Sequence, residues 1–156
     1  MLHYFQGEKN MASDLKIDID NIRLNIRVGA IIRYNDKVII EISTEGRNSV
    51  IPGGRIKINE SSKLSLVREL EEEMHFSADI NKLKQIKVFE NFFECDNKKF
   101  HEIYFVYEYI LSEKEYNSLN LSTNYDNSST YFKLVSKFDM QKHNVLPTEL
   151  YELIEK

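Results

Sequence analysis

Cysteine is nearly absent from this chain of 156 residues. Cys95 stands alone, so no internal disulfide can form. That fits a reducing compartment, and the expected location is the cytoplasm. Cys95 itself reads as a plain strand residue, not a nucleophile. An excess of positive charge is missing too. Lys and Arg number 21 against 25 Asp and Glu, for a net charge of -4. Affinity for DNA comes largely from Lys and Arg on phosphates, so DNA is not an expected partner. No apolar run approaches the length of a membrane span, and no membrane association is expected. The opening MLHYFQGEKN lacks the apolar middle of a secretory signal. Internal repeats and long low-complexity tracts are also absent, which favours a single domain.

What is present is ordinary for a globular protein: 42% hydrophobic and 29% charged residues. A chain of this length buries a core without staples. One domain is expected over residues 15–156. Residues 1–14 are expected to be a flexible segment or a tag remnant. Tyr4 to Gly7, YFQG, resembles the end of a tag-cleavage site, and Met11 is a candidate native start.

The hydrophobic pattern orders the elements. LKIDIDNIRLNIRV, from Leu15 to Val28, alternates with period two, as half-buried strands do. Val28 to Ser43 reads as a hairpin turning at Asn35 to Lys37. VIPGG ends a short strand at Pro52 and two glycines. From Glu60 the period changes: Leu64, Val67, Leu70 and Met74 recur at helical steps, with Asn59 or Ser61 as cap. KQIKVFENFFEC and FHEIYFVYEYIL read as long strands joined by a DNKK turn. SEKEYNSLNLSTNYDNSS reads as a loop with one helical turn, and TYFKLV as a strand. LPTELYELIEK reads as a terminal helix with Pro147 in its first turn. This order predicts an α+β fold with a mixed sheet.

The central helix carries a cluster of acids. At about 100° per residue, Glu72 and Glu73 fall within roughly 60° of Glu69. Leu64, Val67, Leu70 and Met74 are expected to form the docking face on the other side, and Leu66 does not fit that stripe. Glu71 points elsewhere. Carboxylates at these steps repel one another, by a few tenths of a kcal/mol per pair. A hard divalent cation such as Mg²⁺ or Mn²⁺ would offset this, because it prefers carboxylate oxygens. Arg68 is placed to hold one carboxylate while the others bind metal.

The spacing ties the helix to the glycines. Gly54 is followed by five residues and Glu60, then by seven residues and RELEEE. This resembles the Nudix box, and Gly54, Glu60, Arg68, Glu69, Leu70, Glu72 and Glu73 all match it. Six specified residues in register arise by chance on the order of once in ten million starts. His75 stands where the pattern has glycine, and Phe76 fills the last apolar place. Ser49 stands near where many members carry a tryptophan.

The resemblance implies a Nudix fold, a mixed sheet sandwiched between helices. It implies a hydrolase that cleaves a diphosphate linkage in a nucleoside diphosphate derivative, with Mg²⁺ or Mn²⁺. By position, Glu69, Glu72 and Glu73 resemble the metal-binding carboxylates, and Gly53 the residue whose carbonyl joins them. Arg68 and Glu60 resemble the supporting charges. The general base is either a box carboxylate such as Glu69 or a residue outside the box. Glu102 is the first outside candidate and His101 the second. Gly54, Glu102 and Tyr104 are the expected substrate-binding residues, with Tyr104, Phe105, Tyr107 and Tyr109 as candidates to stack a base. Expected partners are a small nucleotide substrate and a second copy of the chain, paired through Leu15 to Ile26. The competing reading is a non-catalytic Nudix-fold nucleotide-binding or regulatory module.

Overall fold

The computed structural model describes residues 13–156. The expected flexible segment or tag remnant lies, for residues 1–12, outside the described residues. Ser13 and Asp14 are engaged: Ile58 N–H donates to Ser13 O, and Asp14 bridges Lys57.

Seven strands form one sheet among the described residues: β1 (Lys16–Ile19), β2 (Ile22–Tyr34), β3 (Lys37–Ser43), β4 (Gly53–Arg55), β5 (Lys84–Cys95), β6 (Lys98–Ile110) and β7 (Thr130–Ser136). The long path runs β5-β6-β2-β3-β7. β2 pairs with β6 in parallel, from Ile22 opposite Lys99 to Arg33 opposite Ile110. Every other pairing is antiparallel, so the sheet is mixed as expected. The other edge of β2 is shared in turn by β1, β4 and the start of β3. The segment Leu15 to Ile26 thus folds back on its own chain as the β1–β2 hairpin, with Ile17, Ile19 and Ile22 exposed. The two-residue turns use residues that tolerate positive φ: Asn35 between β2 and β3, and Asp96-Asn97 between β5 and β6.

Strand alternation sends side chains to two cores. Val28, Ala30 and Ile32 of β2 meet Leu66, Leu70 and Met74 of α1 (Ser62–Met74). Ile31, Val38, Ile40 and Val106 face the other way, toward Met140, Leu150 and Ile154. The last two belong to α3 (Leu150–Glu155), and Met140 to a 3₁₀ stretch, Lys137–His143. A six-residue helix, α2 (Glu113–Ser118), begins at a capping box between Ser112 and Glu115. Helical segments therefore cover both faces of the sheet.

Two expectations are corrected. The buried arc of α1 is not the predicted stripe: Leu64 is 54% exposed, whereas Leu66 is fully buried. The arc runs through Ser65, Glu69, Glu73, Leu66, Leu70 and Met74. Glu69 and Glu73 lie on the buried arc and border the core, which rotates the docking face toward them. Pro147 lies outside α3. Leu150 N–H donates to Pro147 O and Tyr151 N–H to Thr148 O, so a tight turn precedes the helix.

Candidate active site

The two ends of the box are fixed by local chemistry. Ser61 caps α1 by accepting from Leu64 N–H, and Asn59 takes a positive φ in the turn before it. At the far end His75 lies in the left-handed region at φ 49°. Its N–H donates to Glu71 O, and Phe76 N–H donates to Leu70 O. A non-glycine residue there costs about 1 kcal/mol.

The glycines let the loop touch the helix. Gly53 sits at φ 150° opposite Gly29, with its N–H donating to Glu73 Oε2 at 3.3 Å. A Cβ on Gly54 would overlap the Glu69 carboxyl. Loop backbone and helix carboxylates therefore share one small volume, which only glycine leaves free.

Arg68 is the hub. Its guanidinium donates to both oxygens of Glu60, Nε at 2.7 Å and Nη2 at 2.9 Å, a paired contact that fixes its plane. Nη1 reaches Glu69 Oε1 at 2.8 Å and Glu72 Oε2 at 3.2 Å. Nη2 also donates to Arg55 O at 3.1 Å. Glu60 accepts from Lys57 N–H as well. The Arg68 hydrogen bonds hold the Glu60 carboxyl below its ordinary value.

Glu69, Glu72 and Glu73 line an open cleft of about 470 Å³. Glu41 and Asp126 join them there from outside the box, and Arg27, Arg55 and Lys57 line the same cleft. Burial pushes the Glu73 carboxyl up to about 9, and the neighbouring Glu41 and Glu69 push the same way. Burial also raises Glu69, against the pull of Arg68, and Glu41, against hydrogen bonds from Thr130 and Asn124. Burial thus holds Glu41, Glu69 and Glu73 toward their protonated forms. A smaller hollow, lined by Lys137, Phe138, Gln141, Tyr151 and Glu155, has no such cluster.

The donor set suits a hard divalent ion. Among the described residues, no three His, Cys, Asp or Glu side chains converge as a finished metal cage. Mg²⁺ does not need one: it keeps several waters and takes one or two carboxylates plus substrate phosphates. Carboxylate oxygens raised by burial and mutual repulsion fit that demand.

The remaining candidates lie elsewhere. Glu102 is 5% exposed and does not line the cleft. Asn91 donates to its Oε1 at 3.1 Å and Asn25 to its Oε2 at 3.3 Å. Tyr104 is buried, stacked on Phe89, with its hydroxyl where a Cβ of Gly29 would be. Both instead reach Arg27, whose Nη1 is 3.9 Å from Glu102 Oε2 and whose guanidinium lies 5.9 Å from the Tyr104 ring. Both thus neighbour an arginine that lines the cleft. His101 pairs with Glu90 at 2.7 Å and packs on Phe92, away from the cleft. Tyr107 and Tyr109 belong to the core on the α1 face, and Phe105 packs against it.

Sequence reasoning missed Arg27, Arg55, Glu41 and Asp126. Glu41 carried a signal: it is the one charge inside VIIEI, and it is buried. Asp126 sits in a polar loop that offers none.

Comparisons with known proteins bear on the fold and the family. A search of curated proteins by sequence finds no match. Among solved structures, a mutator MutT protein from Bacillus halodurans aligns with TM-score 0.66 at 14% identity, covering 85% of this chain and 80% of that one. A MutT protein from Methanosarcina mazei Go1 aligns with TM-score 0.56 at 21% identity, covering 85% and 91%. An Ap4A hydrolase from C. elegans aligns with TM-score 0.57 at 16% identity, covering 84% and 93%. At these identities the likeness shows the fold. The model of the NUDIX domain matches residues 23–137, most of the chain. The chain belongs to the NUDIX domain family.

Proposed function

We propose that this Nudix-type pyrophosphohydrolase cleaves the diphosphate linkage of a nucleoside diphosphate derivative, with Mg²⁺ or Mn²⁺ held by Glu69, Glu72 and Glu73. One observation carries the reading. A single cleft holds Glu69, Glu72 and Glu73 together with Arg27, Arg55 and Lys57. Carboxylates suit a cation, and the three basic residues suit the phosphates that accompany it. Arg27 and Arg55 sit directly opposite each other on β2 and β4. Asp14 already pairs with Arg55 at 3.3 Å, and the remaining positive charge favours an anion in the cleft.

The residues divide the work. Arg27, Arg55 and Lys57 bind the anionic chain. Glu60 holds Arg68, and Arg68 holds Glu69 and Glu72 in position. A bound divalent ion would neutralise phosphate charge and lower the pKa of water. Water attacks one phosphorus in line, the bridging oxygen leaves with the other phosphate-bearing group, and a carboxylate takes the water's proton. Glu69 and Asp126 are the candidate bases. Glu102 is set aside because both its oxygens accept side-chain amides outside the cleft.

The substrate class is tested by a panel: nucleoside triphosphates, diadenosine tetraphosphate, ADP-ribose and sugar nucleotides. Each is incubated with Mg²⁺, with Mn²⁺ and with chelator. The expected result is turnover of at least one substrate with metal and none with chelator. A wild type that binds metal and nucleotide but hydrolyses nothing would instead mark a nucleotide-binding module.

A further inference from the structure

His75 breaks the box pattern at the place where glycine suits the backbone. Its ring is exposed and takes no hydrogen bond among the described residues, yet it is not idle. It stacks on Tyr125, with ring centroids 3.6 Å apart and planes 9° from parallel. Tyr125 is also tied through its backbone, since its N–H donates to Glu73 O at 2.9 Å. The loop between α2 and β7 is thereby fastened to the last turn of the helix, at a residue of the carboxylate cluster.

Asn124, only 4% exposed, shapes the loop beside that anchor. Its Oδ1 accepts from Asp126 N–H at 2.9 Å and from Asn127 N–H at 3.0 Å. Its Nδ2 donates to Glu41 Oε1 at 3.2 Å and to Thr130 Oγ1 at 2.9 Å. Between the Tyr125 anchor and this turn, Asp126 has little choice of direction. It lines the cleft with Glu69 and Glu73.

We infer that His75 and Tyr125 are positioning residues. Their stack clasps the loop to the helix so that Asp126 is presented to the reacting phosphate. A merely structural ring at His75 would be a poor choice, because the backbone there favours glycine. The inference rests on the hydrolase reading for its link to turnover, but the clasp can be read without it.

The test compares wild type with His75→Gly and His75→Phe. Glycine relaxes the backbone and removes the ring, whereas phenylalanine keeps a ring to stack. Three readouts are taken: steady-state kinetics, thermal midpoint, and amide hydrogen exchange at residues 124–127. In His75→Gly, kcat is expected to fall about tenfold with KM changed much less, since misplacing one group acts mainly on the chemical step. Exchange at Tyr125 and Asp126 is expected to speed up by about the same factor. The thermal midpoint should stay level or rise, and His75→Phe should behave like wild type. Wild-type kcat and exchange in His75→Gly would overturn the inference. So would equal losses in His75→Phe. If wild type hydrolyses no substrate, the hydrolase reading fails, and the exchange difference alone still decides the clasp.

Discussion

Raising the pH from 6 to 8 in the presence of a chelator should weaken the protein. Glu73 has an ordinary carboxyl value of 4.5 when unfolded and about 9 when folded. Between these values the folded state binds the proton and the unfolded state does not. Stability is therefore lost as pH rises through that window. One proton in full linkage changes stability by about 1.4 kcal/mol per pH unit, or about 3 kcal/mol from pH 6 to 8. For a chain of this size that lowers the melting midpoint by roughly 5 to 10 °C. Glu41 and Glu69 are raised as well, so they act with the same sign. The carboxyls held low, such as those of Glu60 and Glu115, titrate below this range and add no slope. Scanning fluorimetry at pH 6, 7 and 8 with EDTA reads the slope directly. Glu73→Gln should flatten it, and so should saturating Mn²⁺, because a bound cation favours the ionised form. A midpoint in EDTA that is flat or rises with pH would refute the reasoning.

Other perturbations separate the parts. Gly54→Ala puts a methyl into the Glu69 carboxyl and should cost about 1–3 kcal/mol, with activity falling further than stability, as paired melting and kinetic curves would show. Arg68→Ala strips partners from Glu60 and Glu69, and a loss of about 3 kcal/mol in urea unfolding is expected. Arg27→Ala should weaken substrate binding, raising KM about tenfold, the loss of one charged contact. Ser61→Ala removes the α1 cap and should cost about 1 kcal/mol with kcat unchanged.

The parts legible in the sequence are those written in contiguous residues. Glycine, the lone glutamate and RELEEE sit at fixed spacing, so one helix and one loop suffice to bring them together. Strand alternation in β2 and β6 was equally readable, since period two is a local property. What escaped depends on pairing across the sheet. Glu102 and Tyr104 carried the chemistry expected of substrate contacts, yet the parallel register of β2 and β6 sets Tyr104 opposite Arg27 and Glu102 opposite Asn25, and neither lines the cleft. Helical periodicity places the carboxylates of α1 opposite its docking face. The glycine loop instead admits Glu69 and Glu73 to the buried arc and turns Leu64 outward. Asp126 comes to the cleft on a loop held by contacts of Asn124 and Tyr125, which no local pattern announces.

The most direct measurement is hydrolysis of the panel by wild type beside Glu72→Gln and Glu73→Gln, at matched folded fractions, as Mg²⁺ or Mn²⁺ is titrated in. Wild type should turn over at least one nucleotide diphosphate derivative with saturable dependence on metal. The two variants should lose about two orders of magnitude or more in kcat while remaining folded, as expected when groups supporting transition-state charge are removed. Turnover that is independent of metal, or unchanged in both variants, would contradict the assignment of the carboxylate cleft as the catalytic centre.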